Sequence, residues 1–285
     1  MKSILILQKK ELVMSNLELY QGNCLELMSD IADNSIDCII CDLPYGTTKC
    51  KWDSVLPFDV MWAHYNRIIK DDGAIVLFSS QPFTSMLVSS NLKNFKYEWI
   101  WEKQKACNFM SAKYMPLKYH ENIMVFSKNN STKAIKYNPQ RYKVLELDDI
   151  LAMTKVQLKQ LFESRDYDRY GKVDRRKTIN NPTTNKELIG STVNRIRNQD
   201  DGYRFPKSVL KINKSVNKNL HPTQKPVELL EYLVKTYTDV EDVVLDNCMG
   251  SGTTGVACKN LNRNFIGIEL DETYFNIAKE RIDKA

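Results

Sequence analysis

Asp42-Leu43-Pro44-Tyr45-Gly46 directly follows the apolar run Ile36 to Cys41, so a carboxylate, a rigid turn and an aromatic ring stand together at the end of a strand. Residues of these types suit methyl transfer to the exocyclic amine of a flat base. The lone pair of such an amine is delocalised into the ring, so a catalyst must accept hydrogen bonds from the NH2 and favour a pyramidal nitrogen. Asp42 can accept one of those bonds. Pro44 disfavours the helical conformation at Leu43, which holds that residue extended and offers its carbonyl as the second acceptor. Tyr45, read as an exposed ring, can stack on the base face. Taken alone, an acid and a proline after a strand usually make only a turn.

A second signal lies far along the chain. Val243-Val244-Leu245-Asp246 leads through Asn247-Cys248-Met249 into Gly250-Ser251-Gly252-Thr253-Thr254-Gly255. This reads as a buried strand running into a glycine-rich turn that opens a helix, where backbone N–H groups approach a ligand closely and negative charge is favoured. The next apolar run, Phe265-Ile266-Gly267-Ile268, ends at Glu269, 14 residues after Gly255. An acid at that tip can hold both hydroxyls of a ribose, so the pair describes a nucleoside-cofactor site. The same glycine string is also a dinucleotide fingerprint. Against a nicotinamide dehydrogenase, Asp246 to Met249 separate the strand from the first glycine, and Asp246 would stand where a pyrophosphate belongs. It suits the ammonium of a methionine moiety better.

With both signals in view, the chain resembles the beta-class amino-group DNA methyltransferases, in which the catalytic motif comes first and the S-adenosylmethionine motif last. The resemblance runs in order through Asp42-Leu43-Pro44-Tyr45, Trp99 to Lys103, His120 to Phe126, His221-Pro222-Thr223-Gln224-Lys225-Pro226, and the glycine-rich turn with Glu269. It implies that Asp42, Leu43, Pro44 and Tyr45 form the catalytic target-base pocket, with Asp42 facing the cofactor's methyl group. It implies further that Asp246, Gly250, Ser251, Gly252, Thr253, Thr254 and Glu269 hold S-adenosylmethionine, with Thr223 and Lys225 near its carboxylate and Asn23 near its adenine. Aspartate at the head of the first motif is the usual adenine choice in this family, so N6-adenine is the expected acceptor and N4-cytosine the runner-up. Leu43 stands where proline is commoner, and activity should survive because the carbonyl is what matters. A silent DNA-binding relative, and RNA or protein acceptors, remain as rivals.

The charge pattern adds a DNA-facing candidate. Residues 131–205 hold 16 Lys and Arg against 10 Asp and Glu, a surplus equal to the whole formal charge of +6. A solvated insertion would show the same bias. By position, the resemblance makes this segment the inserted target-recognition region, with Arg175, Arg176, Lys177, Arg195 and Arg197 as candidate DNA contacts. The resulting division is residues 15–130 as catalytic half, 131–205 as insert and 206–285 as cofactor-binding half.

The elements that must position these groups read as an α/β fold: a doubly wound, mostly parallel, Rossmann-like methyltransferase sheet with circularly permuted motif order. Strands are expected at Leu17–Tyr20, Ile36–Cys41, Ala74–Phe78, Tyr97–Trp101, Ile123–Phe126, Val243–Leu245 and Phe265–Ile268, mostly continuous apolar runs as buried parallel strands require. Helices are expected over Pro226 to Tyr237, Tyr274 to Ile282 and, inside the insert, Asp149 to Phe162. The tips of Ile36–Cys41 and Val243–Leu245 should then lie side by side. Trp99, Trp101 and Phe126 read as core. The seven cysteines, Cys38 and Cys41 among them, read as buried thiols rather than a zinc site or disulfide. No metal is expected. No apolar stretch approaches a membrane span, and the reading is a cytoplasmic protein acting on double-stranded DNA, with a homodimer and a companion restriction nuclease both open.

Overall fold

The computed structural model describes residues 16–47, 53–106, 108–143, 154, 203–213 and 224–285. These fall in two compact units, the first within Met1–Asn138 and Ile212–Ala285 and the second within Pro139–Lys211.

In the first unit seven strands form one sheet: β1 (Leu17–Gln21), β2 (Ile36–Cys41), β3 (Ile69–Ser79), β4 (Phe95–Glu102), β5 (His120–Phe126), β9 (Val243–Asp246) and β10 (Asn264–Glu269). Their order is β1-β10-β9-β2-β3-β5-β4. All neighbours from β1 to β3 pair in parallel, while β5 runs antiparallel to both β3 and β4. All seven expected strands are present. As expected, β2 pairs directly with β9, Cys38 opposite Val244 and Ile39 opposite Leu245.

β3 begins five residues earlier than the apolar run suggests. Ile36 pairs with Ile69 and then Cys38 with Ala74, so Lys70-Asp71-Asp72-Gly73, which reads as a turn, is accommodated as an irregularity within the strand.

Every residue of β2 is buried, because helices cover both faces of the sheet. On one face, side chains of β2, β3 and β5 such as Ile39, Cys41, Ile75, Leu77, Met124 and Phe126 pack with α2 (Phe58–Ile68) and α3 (Phe83–Ser90) around Met61, Trp62, Tyr65, Phe83 and Leu87. Helix α1 (Cys24–Leu27) closes this layer through Cys24. The remaining helices are α4 (Val227–Tyr237), α5 (Thr253–Asn260) and α6 (Glu272–Asp283), with α5 packed on α4, α6 and β10. α4, expected over Pro226 to Tyr237, buries Leu230, Val234 and Tyr237 at three-and-four spacing. Asp271 starts α6 by accepting from the N–H groups of Thr273 and Tyr274. Cys38 and Cys41 are buried free thiols, and Trp99, Trp101 and Phe126 are core residues.

One residue inside the apolar run of β2 is a carboxylate. Asp37 is buried; its Oδ2 accepts from Val243 N at 2.9 Å and its Oδ1 from Lys70 Nζ at 2.7 Å. It pegs the start of β9 to β2.

In the second unit β6 (Tyr142–Lys143) pairs antiparallel with β7 (Tyr203–Arg204), and β8 (Val209–Lys211) follows. The Arg141 guanidinium lies 5.7 Å from the Tyr203 ring centroid and 5.1 Å from that of Phe205. The expected helix over Asp149 to Phe162 lies, but for Thr154, outside the described residues, as do Arg175, Arg176, Lys177, Arg195 and Arg197.

Replacing the Asp37 carboxylate removes a charged acceptor from a buried backbone N–H, so Asp37→Ala should lower stability by about 1.5–3 kcal/mol. Urea denaturation should show a lower midpoint with unchanged slope; an unchanged midpoint would mean that the peg contributes nothing.

Candidate active site

Parallel strands end on the same side of a sheet, and here four of them deliver polar groups to one place. Beyond β2 stands Asp42, at the end of β9 Asp246, at the end of β10 Glu269, and beyond β1 Gly22 and Asn23. All border one cavity of about 290 Å³. It opens where the chain leaves β2 toward β3 on one side and β9 toward β10 on the other, the place in an open α/β sheet where ligands gather.

The β9 side is built around two acids. Asp246 is buried; its Oδ2 accepts from Thr254 Oγ1 at 2.6 Å and its Oδ1 from Cys248 N at 3.2 Å. Burial pushes its pKa up to about 7 against these hydrogen bonds. Glu269 accepts from Gly250 N at 2.8 Å through Oε2 and from Asp271 N at 2.9 Å through Oε1. Burial raises its pKa too. Each oxygen keeps further acceptor capacity for a ligand hydroxyl.

The turn between these acids depends on glycine. Gly250 and Gly252 have φ of 53° and 74°, in the left-handed region that disfavours side chains. A Cβ on Gly252 would also stand 2.9 Å from the Ala278 Cβ of α6. Arg281 of α6 donates to the Ser251 carbonyl, to Ser251 Oγ at 2.8 Å and to Thr253 Oγ1 at 3.3 Å, which fixes the turn from behind. Tyr65 of α2 donates to Asn247 Oδ1 at 2.6 Å and braces its entry.

On the β2 side, Asp42 Oδ1 accepts from the Tyr45 hydroxyl at 2.7 Å and Oδ2 from Lys225 Nζ. The Tyr45 ring, expected to be exposed, is half-buried, because Phe83 of α3 stacks on it with centroids 4.9 Å apart. One of its faces is therefore already covered. The Leu43 side chain is buried and Pro44 is half-buried, both at the cavity wall. Asp53 clamps the following turn by accepting from Gly46 N and Thr47 N at 2.8 and 2.9 Å.

Behind Asp42 runs a chain of alternating charge. Lys225 Nζ lies 3.4 Å from Glu121 Oε2, and Lys103 Nζ donates to Glu121 Oε1 at 2.7 Å. The Lys225 ammonium also stands 5.0 Å from the Phe78 ring centroid. Burial disfavours charge at Lys225, but Asp42 and Glu121 outweigh it and raise its pKa. Burial likewise opposes ionisation of Glu121, and Lys225 and Lys103 overcome it, holding that carboxyl at about 2.

Of the residues singled out from the sequence, Asn23, Asp42, Leu43, Pro44, Tyr45, Lys225, Asp246, Gly250, Ser251, Thr253, Thr254 and Glu269 all border this cavity. Gly252 supports it from behind. Asn23 caps α1, its Oδ1 accepting from Leu25 N at 3.1 Å and its Nδ2 donating to Glu26. Lys225, assigned to a cofactor carboxylate by resemblance, has its ammonium on Asp42 and Glu121 here. Thr223 lies outside the described residues. Sequence reasoning missed Phe78, Tyr274 and Gln224 in the cavity wall, and Glu121 and Lys103 behind it. The only advance signal for the last two was that each sits in a segment carrying the family resemblance.

A family model described as DNA methylase, of the N6/N4 methyltransferase type, matches residues 36–280. The chain is 28% identical over 292 residues to the Type II methyltransferase M2.MboI of Moraxella bovis, spanning 93% of this chain and 87% of that one. It is 30% identical over 277 residues to M.HpaI of Haemophilus parainfluenzae, spanning 92% and 73%. Among solved structures, it is similar to M1.HpyAVI in complex with SAM, with a TM-score of 0.57 and 23% identity across 94% of this chain and 99% of the other. The PvuII DNA methyltransferase, named as cytosine-N4-specific, gives a TM-score of 0.59 and 16% identity across 94% and 86%. The two structural likenesses are ones of fold, and the family match extends over most of the chain: this protein belongs to the DNA methylases of the N6/N4 amino-methyltransferase family.

Proposed function

We propose that this protein transfers a methyl group from S-adenosylmethionine to the N6 amine of adenine in duplex DNA, with the base flipped out of the stack. The observation that carries the reading is that Asp42 borders the same cavity as Asp246, Glu269 and the glycine turn. The donor set fits the cofactor. A buried acid that titrates near 7 is matched by an ammonium, an acid at a strand tip by ribose hydroxyls, and N–H groups at the start of α5 by a carboxylate.

When bound, S-adenosylmethionine supplies a methyl group on a positively charged sulfur. Asp42, held by Tyr45 and Lys225, keeps lone pairs for one N–H of the incoming amine, and the Leu43 carbonyl takes the other. The nitrogen is thereby drawn out of conjugation. The bound cofactor would supply the methyl group to that nitrogen's lone pair, its sulfur leaving as a neutral thioether, and Asp42 would stand ready to take the surplus proton. Positioning supplies much of the acceleration, with neither a metal nor a covalent enzyme intermediate in the scheme. Extracting a paired base costs about a few kcal/mol.

The same reading takes residues 131–205 as the target-recognition insert, with Arg175, Arg176, Lys177, Arg195 and Arg197 on phosphates or bases. It makes the protein a cytoplasmic partner of double-stranded DNA. Among the described residues no helix is long and apolar enough to cross a membrane.

Incubation with methyl-labelled S-adenosylmethionine and unmodified duplex DNA, followed by digestion to nucleosides, should give label in N6-methyladenine. Label in N4-methylcytosine would keep the enzyme class and overturn the base. Asp42→Ala should reduce turnover by about 100-fold or more, the loss typical when a preorganised polar contact to the transition state is removed. Cofactor affinity should stay nearly unchanged, and full turnover in that variant would sink the role given to Asp42.

Asp246 sets a pH dependence. Its carboxyl is raised to about 7, so it is largely neutral below that pH and holds a cation only above it. The affinity for S-adenosylmethionine should therefore rise about fivefold between pH 6 and pH 7, following the ionised fraction of the acid while the ligand's amino group stays largely protonated, and Asp246→Asn should flatten the profile. An affinity constant across that range in the unmodified protein would mean that Asp246 does not face the ammonium.

A further inference from the structure

Among the described residues, the loop joining β4 to β5 combines positive charge with exposed apolar side chains. Between Lys103 and Tyr119 it carries Lys103, Lys105, Lys113 and Lys118 and no Asp or Glu. Its tip presents four large apolar side chains to solvent: Phe109 at 71% exposure, Met110 at 86%, Tyr114 at 86% and Met115 at 53%. Scattered apolar residues on a surface need no explanation, but a cluster of this kind marks a binding face.

The tip is held in shape. Ala112 N donates to the Phe109 carbonyl at 3.2 Å, and the N–H groups of Tyr114 and Met115 donate to the Ser111 carbonyl at 2.9 and 3.0 Å. Below it, Asn108 bridges the two limbs, its Oδ1 accepting from Lys118 N at 2.7 Å and its Nδ2 donating to the Pro116 carbonyl at 3.0 Å. At the base, Lys103 N donates to the Tyr119 carbonyl at 2.6 Å.

The base of this finger is also tied to the active site. β5 runs antiparallel to β3, with Asn122 opposite Ser79, so the loop emerges at the sheet end where β2 delivers Asp42. Lys118 bonds Ser80 just beyond β3. Lys103 and Glu121, at the two feet, continue through Lys225 to Asp42.

We propose that Phe109, Met110, Tyr114 and Met115 form a wedge that enters duplex DNA beside the target base and fills the space that base leaves on flipping, an inference that rests on the DNA reading above. Apolar and aromatic side chains inserted between base steps replace lost stacking. The lysines of the same loop match the charge of the flanking phosphates. A rigid support makes insertion effective, because a floppy finger would lose its freedom on binding.

The test uses the full-length protein and a duplex containing the site mapped from its own methylation products. One substrate is fully paired; the other has the target base opposite an abasic position, so that it is already unpaired. The variant Phe109→Ala/Tyr114→Ala should lose about tenfold or more in kcat/KM on paired DNA, the factor expected when aromatic stacking is removed. On the unpaired substrate it should lose less than about threefold, because little remains to be displaced. Both side chains are exposed, so an unchanged melting temperature and cofactor affinity are expected; Met110→Ser serves as a second, smaller probe of the same tip. Equal losses on both substrates would make the loop an ordinary contact, and no loss on paired DNA would remove it from the interface; either result overturns the wedge. If the unmodified protein gives no methylated DNA from which to map a site, the DNA reading itself fails and the wedge with it.

Discussion

The pairing of β2 with β9 is the constraint on which the site depends. Asp37 and Val243, which join the two strands at their start, are 206 residues apart in sequence, yet the strands are hydrogen-bonded neighbours. Parallel strands end on one side, so this single pairing sets Asp42 beside Asp246. It also creates the crevice between them, since the connections from β2 and β9 depart in opposite directions and leave the space above the pair uncovered. Loop-closure entropy grows only with the logarithm of the intervening length, so inserting a long segment between the two halves adds little to the cost of bringing them together. A buried carboxylate at residue 37 helps fix the neighbour: a slipped register would leave both Asp37 and the Val243 N–H without their partners.

A second constraint is electrostatic. Asp42, Lys225, Glu121 and Lys103 alternate in sign away from the cavity, Asp42 just beyond β2, Lys225 just before α4, Glu121 on β5 and Lys103 just beyond β4. Such a chain gains little stability over well-packed apolar residues, because desolvation consumes most of the attraction, whereas losing one member leaves a buried charge uncompensated at a cost of about 3–5 kcal/mol. Its value is geometric. The Lys225 ammonium is held between Asp42 and Glu121, and Glu121 is held in turn by Lys103. With Tyr45 on the other oxygen and Phe83 behind the Tyr45 ring, the Asp42 carboxylate is restrained from two sides before any ligand arrives.

Much of this was legible in the sequence because buried parallel strands leave a strong trace. Ile36–Cys41, Val243–Leu245 and Phe265–Ile268 are unbroken apolar runs apart from Asp37, and the acids or turns at their ends stand out against them. Glu121 and Lys103 left no such trace. Their partnership arises from the antiparallel register that sets Glu121 opposite Trp101, a relation between strands that no local pattern encodes. The covering of Tyr45 by Phe83 is hidden for the same reason, since α3 is reached only after another helix and strand. β3 was underestimated because Lys70-Asp71-Asp72-Gly73 has turn composition, while the irregular pairing between Ile69 and Ala74 keeps it within the strand. The charge surplus of residues 131–205 is visible in composition, but its arrangement lies outside the described residues.

The two sides of the site treat buried acids in opposite ways, and the contrast bears on how the cavity works. Burial alone pushes any carboxyl toward its neutral form. Glu121 has two ammonium groups against it and is held at about 2, so its charge is permanent and it can serve as a fixed support. Asp246 is buried with a hydroxyl and a backbone N–H, and no ion pair joins it to a cation among the described residues. Its pKa rises to about 7. An acid left in that condition stabilises its own surroundings poorly when ionised, and it gains most when a cationic ligand arrives. The strand tip that holds Asp246 thus carries a buried acid with no ion-pair partner among the described residues, whereas Asp42 is already held by Lys225 and Tyr45.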